Sequence, residues 1–221
     1  MKKIAVILAG CGSMDGSEIH EATFTLVAID ELNAQYECFA LDKPQARVMN
    51  FVTGQEEVAE TRNQLKEAAR IARGKIKSID QIKVAEFDAL VFPGGFGTAF
   101  NLCSFAKDAS NGIVEPEIAQ TLRDFYNAKK PIGAICIAPV IVALILGKEI
   151  QPTLTMGDLN DPAGKELEKL NCKILACATK ECVVDTKNKI VTTPAYMNAK
   201  RISDVREGIY KLISEVLKLT I

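Results

Sequence analysis

The stretch KPIGAICIAPVIVALILG, residues 130–147, restricts the fold more than any other part of the chain. Pro131 to Ile135 is an apolar run of strand length, and it stops at Cys136. From Ile137 to Leu146 the pattern reads as a buried helix, with Pro139 in the first turn, where a missing N–H is harmless, and Gly147 as the predicted stop. Cys136 therefore falls at a strand-to-helix elbow, the geometry that lifts a nucleophile out of the sheet in the G-x-S-x-G turn. Unpaired helix N–H groups and the positive end of the helix dipole would face its sulfur, and both favour a thiolate. A small cysteine buried inside an apolar segment is the competing reading.

The surrounding pattern is of strands alternating with helices. Lys3–Ala9 is a continuous apolar run, as expected for a strand buried on both faces of a parallel sheet. The loop Gly10–Gly16 leads into a helix predicted over Ser17–Asn33, with Ile19, Ala22, Leu26 and Ile29 on one apolar side and Phe24, Val27 and Ala28 on a second. Tyr36–Leu41 and Asp88–Phe92 read as strands, Glu60–Arg73 and Pro116–Ala128 as helices, and 107–114 as a surface insertion. A short helix is expected over Asp161–Leu170, with Asp161 as cap and Pro162 at its first position. Cys182–Asp185 and Ile190–Thr193 form a hairpin around Lys187 and Asn188, and Asn198–Leu219 is an amphipathic helix. The alternation implies one α/β domain over residues 1–221, a three-layer α/β/α sandwich with a mostly parallel central sheet.

Charge and residue counts exclude several classes of function. A net charge of −1 argues against a general nucleic-acid binder, since phosphate affinity needs surplus Lys and Arg. The opening MKKIAVILAGCG is too short to span a bilayer and soon meets glycine and charge, so it is expected to be a core strand rather than a signal peptide, with no membrane partner. Seven cysteines without a secretory signal imply free thiols and a cytoplasmic location. The single histidine, His20, makes a His-based zinc site, Ser-His-Asp triad or Cys-His dyad improbable.

Ligands in open α/β sheets sit beyond the carboxyl ends of the strands. Three loops leave such ends: 10–17, the turn PGGFG at 93–97, and the elbow at Cys136. If their strands are neighbours, they unite Cys136, the N–H groups of Gly94 and Gly95, and the acidic candidates Glu18 and Glu21. Asn101, Ser104 and Tyr196 are further pocket candidates, with a packing role for Tyr196 left open. Cys11 in the first loop is a candidate resolving thiol for Cys136.

The segments AGCGSMDGSEIHEA, FPGGFG, PIGAICIAP and VTTPAYM, in this order, resemble the ElbB group, the isoprenoid biosynthesis-associated glyoxalases within the PfpI-like, class I glutamine amidotransferase-like superfamily. The resemblance covers nearly the whole chain. It implies a flavodoxin-like sandwich, Cys136 as nucleophile, Glu21 as the helix carboxyl beside it with Glu18 as fallback, an oxyanion pocket at Gly94 and Gly95, and a homodimer. Many relatives carry His directly after the cysteine; here that place is Ile137, which argues against protease or amidase chemistry for want of an imidazole to protonate a leaving amine. A protonated Glu21 beside an ionised Cys136 suits small aldehydes: glyoxal or methylglyoxal would pass through a hemithioacetal to glycolate or lactate without metal or other cofactor. The alternatives are a cysteine redox sensor or chaperone-like partner protein on the same scaffold, and a nucleotide binder using Gly10, Gly12, Gly16 and Asp42. The glycine spacing G-x-G-x-x-x-G and the distant Asp42 fit the nucleotide reading poorly. Cys172, Cys177 and Cys182 lack zinc-ligand spacing and read as interior cysteines.

Overall fold

The computed structural model describes residues 1–220. In chain order the elements are β1 (Lys3–Ile7), α1 (Ile19–Glu31), β2 (Gln35–Ala40), β3 (Met49–Asn50), β4 (Gln55–Glu56), α2 (Gln64–Ile71), β5 (Ile76–Ser78), β6 (Ala89–Phe92), α3 (Phe96–Phe100), α4 (Phe105–Asp108) and α5 (Pro116–Asn127). They continue with β7 (Ile132–Ile135), α6 (Pro139–Ile150), β8 (Thr153–Leu154), α7 (Pro162–Glu168), β9 (Lys173–Ile174), β10 (Val183–Asp185), β11 (Ile190–Thr193) and α8 (Ile202–Lys218). The central sheet has seven strands in the order β10-β11-β7-β6-β1-β2-β5. All of its pairings are parallel except β10 with β11, which closes one edge as a hairpin.

The apolar runs take the middle of the sheet because parallel strands are covered on both faces. Every residue of β6 and β7 is buried. Helices α1 and α8 pack against each other, with α8 lying on β7 and β11, while α5 and α6 form the other packed pair and also reach the sheet. Phe39 and Phe87 meet edge to face with ring centroids 5.6 Å apart, and Phe87 also lies 6.4 Å from Phe125 on α5, so aromatic contacts tie sheet to helix. After β1, the chain adds β2 and β5 on one side and then returns to add β6, β7 and β11 on the other. The switch in direction falls between β1 and β6, and β7 and β11 continue the same line.

Several element boundaries differ from the sequence expectation. Gly147 does not stop α6, which runs on to Ile150 and ends at Gln151 with φ 50°. A Cβ at Gly147 would lie 2.6 Å from the Leu170 carbonyl, so this glycine permits close packing rather than termination. Helix α2 begins at Gln64, not Glu60, because Arg62 accepts the Gln45 N–H in a backbone bond and Asn63 caps the helix by accepting the Lys66 N–H. The expected insertion at 107–114 begins inside helix α4, whose Phe105 is buried just before it. Helix α8 starts at Ile202 because the Asn198 side chain is engaged by Cys177 and Thr179. On α1 the buried residues are Glu21, Ala22, Thr25, Ala28 and Ile29, whereas Ile19 and Val27 remain exposed. Truncating Phe39 to alanine removes a fully buried ring, and urea unfolding of that variant should show a loss of about 3–5 kcal/mol.

Candidate active site

Four segments leave the carboxyl ends of the adjacent strands β1, β6, β7 and β11, and the site is where they meet. The first loop folds back on itself through Ser17, whose Oγ accepts the Ala9 N–H at 2.8 Å. The turn after β6 is bonded to that loop three times: Phe96 N–H to the Ser13 carbonyl (2.8 Å), Gly97 N–H to the Gly16 carbonyl (2.9 Å), and Glu18 N–H to the Gly94 carbonyl (2.9 Å). Cys136 follows β7 directly, with φ 60° and its N–H donating to the Thr193 carbonyl of β11 at 2.9 Å. A left-handed backbone is costly for a residue with a Cβ and persists because the flanking strand and helix hold it.

Glu21 lies in the first turn of α1 and is fully buried. Its N–H is capped by Glu18 Oε2 at 2.7 Å, and its Oε1 accepts the Tyr196 N–H at 3.2 Å from the turn after β11. Glu21 Oε2 makes no well-formed hydrogen bond and faces the Gly94 amide and the Cys136 sulfur. This approach depends on the paired glycines. A Cβ on Gly94 would collide with Glu21 Oε2 and lie 2.5 Å from Cys136 Cβ, while one on Gly95, with φ 98°, would strike the Glu18 amide. The amides of Ile137 and Gly95 face the sulfur, so Gly95 and Ile137 are the placed N–H donors there, and the Gly94 amide is turned to Glu21.

The electrostatics correct the expected thiolate. Burial, then the Glu18 charge, pushes the Glu21 carboxyl up to about 8. Burial and the neighbouring Glu21 carboxylate push the Cys136 thiol well above its ordinary value, outweighing the amides of Ile137 and Gly95. Burial therefore works against charge on either group, and it outweighs the dipole at Cys136, of which only 8 % is exposed to water.

Cys136, Gly95, Ile137, Glu18 and Tyr196 line one cavity of about 430 Å³, with Glu21 and Gly94 touching Cys136 from the protein side. Most of its wall is apolar, including Met14, Phe96, Pro162 and Met197. Asp161, Pro162 and Ala163 at the start of α7 were not expected here; the Asp-Pro cap was readable, but not the folding of residues 152–182 that brings it over Cys136. Asn101 is not in the cavity. Its side chain bonds the carbonyls of Ala9 and Asp15 (both 2.8 Å) and the Ala46 N–H (2.8 Å), stapling loops together. Ser104 likewise bonds the Ile113 N–H at 3.0 Å. Cys11 opens into a separate charged cavity with Arg62, Lys66 and Arg70, away from the Cys136 cavity. Asp42 accepts from the Asn63 side chain. Among the described residues there is no cluster of three metal-ligating side chains and no helix long and apolar enough to cross a membrane.

A family model described as the DJ-1/PfpI family matches residues 58–198, the part of the chain that holds the Gly-Gly turn and the Cys136 elbow. The chain belongs to the DJ-1/PfpI family. Within it, the mitochondrial ES1 protein homolog of Rattus norvegicus is 41 % identical over 227 residues, covering 99 % of this chain and 84 % of that protein. An isoprenoid biosynthesis protein with an amidotransferase-like domain from Ehrlichia chaffeensis, solved by crystallography, is 41 % identical with a TM-score of 0.90, covering 98 % of this chain and 99 % of its own. Protein/nucleic acid deglycase 2 of Escherichia coli strain K12 is 28 % identical over 141 residues, 64 % of this chain and 63 % of that protein. These likenesses agree with the ElbB-like resemblance and the flavodoxin-like sheet of this DJ-1/PfpI chain.

A carboxyl that ionises at about 8 when folded and near 4.5 when unfolded binds more protons in the native state between those values. Its stabilising contribution is complete below about 4.5 and is lost as pH rises through about 8. Denaturant titrations between pH 5 and pH 8.5 (roughly that window) should show Glu21→Gln with a flatter stability profile than wild type, the difference reaching on the order of a few kcal/mol.

Proposed function

We propose that this chain is a cofactor-independent glyoxalase-type enzyme that converts small dicarbonyls, glyoxal or methylglyoxal, to hydroxy acids. The observation that carries the reading is the buried Glu21 carboxyl facing the Cys136 sulfur, a proton carrier poised beside a nucleophile in a small, mostly apolar cavity. In its ionised form Glu21 takes the thiol proton as sulfur attacks the aldehyde carbon. The new C–S bond displaces the carbonyl electron pair onto oxygen, which the amides of Gly95 and Ile137 hold until Glu21 hands it the proton taken from the thiol and is again ionised. The product is a hemithioacetal. Glu21 next removes hydrogen from the sulfur-bearing carbon and returns it to the neighbouring carbon, which oxidises the first and reduces the second. Water then cleaves the resulting thioester, freeing glycolate or lactate and the thiol.

Similarity to a named deglycase supports aldehyde-derived chemistry in the family without fixing this substrate. Ile137 in the position beside the nucleophile leaves transfer of the thiol proton to Glu21. The sensor reading needs a readily ionised thiol, and burial of Cys136 opposes it.

Purified protein should consume glyoxal, and Cys136→Ala should abolish turnover. Glu21→Gln should lower kcat by about 10²–10⁴-fold, the usual yield of positioned acid–base catalysis. Turnover by wild type should rise as pH increases through about 8, where Glu21 becomes able to accept the thiol proton. Unchanged glyoxal consumption in Cys136→Ala would refute the reading.

A further inference from the structure

The chain has one histidine; it does not line this cavity but lies behind a residue that does. His20 Nδ1 lies 2.7 Å from the Tyr196 hydroxyl, and their rings are 5.9 Å apart between centroids. Tyr196 lines the Cys136 cavity. The same residue holds Glu21 through its backbone N–H, and His20 precedes Glu21 on α1, so the turn 195–197 and the first turn of α1 are joined by two independent bonds.

The other polar side chains lining the cavity are less suited to give up a proton. Glu18 and Asp161 both act as helix caps, accepting backbone N–H groups. Ser13 carries an aliphatic hydroxyl, a far weaker acid than a phenol. Tyr196 alone among the described lining residues has a hydroxyl bonded to a second group that can replace its proton. The charged group facing that histidine is Glu18, whose Oε1 is 3.9 Å from Nδ1.

We infer that the Tyr196 hydroxyl, backed by His20, is the proton donor to the dicarbonyl oxygen on the carbon not bonded to sulfur. The inference rests on the glyoxalase reading and supplies the half of the isomerisation that Glu21 does not perform. As Glu21 removes hydrogen from the sulfur-bearing carbon, a C=C bond forms and the electron pair of the second carbonyl moves to its oxygen. Tyr196 gives that oxygen a proton and is resupplied across its contact with His20 Nδ1, yielding a neutral enediol. Glu21 then protonates the second carbon, the hydroxyl on the sulfur-bearing carbon becomes the thioester carbonyl, and the proton it sheds returns to the Tyr196–His20 couple. No external oxidant or reductant enters. Tyr196 is thereby a catalytic residue, and His20 a positioning residue that acts through it.

The test pairs glyoxal turnover with intact-mass measurement of the adduct on Cys136, in wild type, Tyr196→Phe and His20→Gln. Tyr196→Phe keeps the backbone N–H that holds Glu21. We expect kcat to fall by about 10–100-fold in both variants, toward the lower range for a positioned acid, with KM changed by less than about threefold. The hemithioacetal adduct should accumulate in both, since addition survives and isomerisation is slowed. A wild type that turns over glyoxal with both variants at its rate overturns this inference alone. Variants that lose adduct formation together with turnover also overturn it, because the pair then merely shapes the site. A wild type with neither turnover nor adduct overturns the inference and the glyoxalase reading together.

Discussion

A carboxyl group buried against a thiol is the contact on which the other features of this site depend. Taking Glu21 out of water raises its affinity for a proton, and the same burial suppresses ionisation of Cys136. Burial thus disfavours charge on both members of the pair, and a standing thiolate at Cys136 is opposed rather than favoured. Charge in so dry a place has few solvating groups, and the amides of Gly95 and Ile137 are the ones that face the sulfur.

Bringing the two side chains together requires backbone to pass unusually close to backbone. The Gly94–Gly95 turn supplies that space, and its bonds to the first loop lock the start of α1 to the end of β6. The elbow backbone at Cys136 and the amide from Tyr196 complete the enclosure from β7 and β11. Each contact belongs to a different crossover, so the site is a property of the sheet order and not of any single motif.

The parts that were legible in the sequence are those governed by short-range rules. The elbow, the Gly-Gly turn, the Asp161 cap and the edge hairpin each follow from proline, glycine or apolar spacing within about ten residues. What was not legible depended on long-range approach. Gly147 reads as a helix stop but exists to admit the Leu170 carbonyl. Asn101 reads as a polar residue near a ligand loop, yet all of its recorded bonds go to backbone of loops 9–15 and 46. The dipole and the burial at Cys136 are both suggested by the sequence, but their relative size is not, and here burial is the larger effect.

The span of chain that the site draws on has a consequence for synthesis. Glu21 emerges early, but the amide that holds it comes from Tyr196, and α8, which packs on α1, follows that residue in the sequence. While the chain is still growing, Cys136 precedes the segment that fixes its carboxyl neighbour, and domains generally fold as units. Any fragment that stops short of Tyr196 would therefore keep both Cys136 and Glu21 but lack the amide that fixes one against the other.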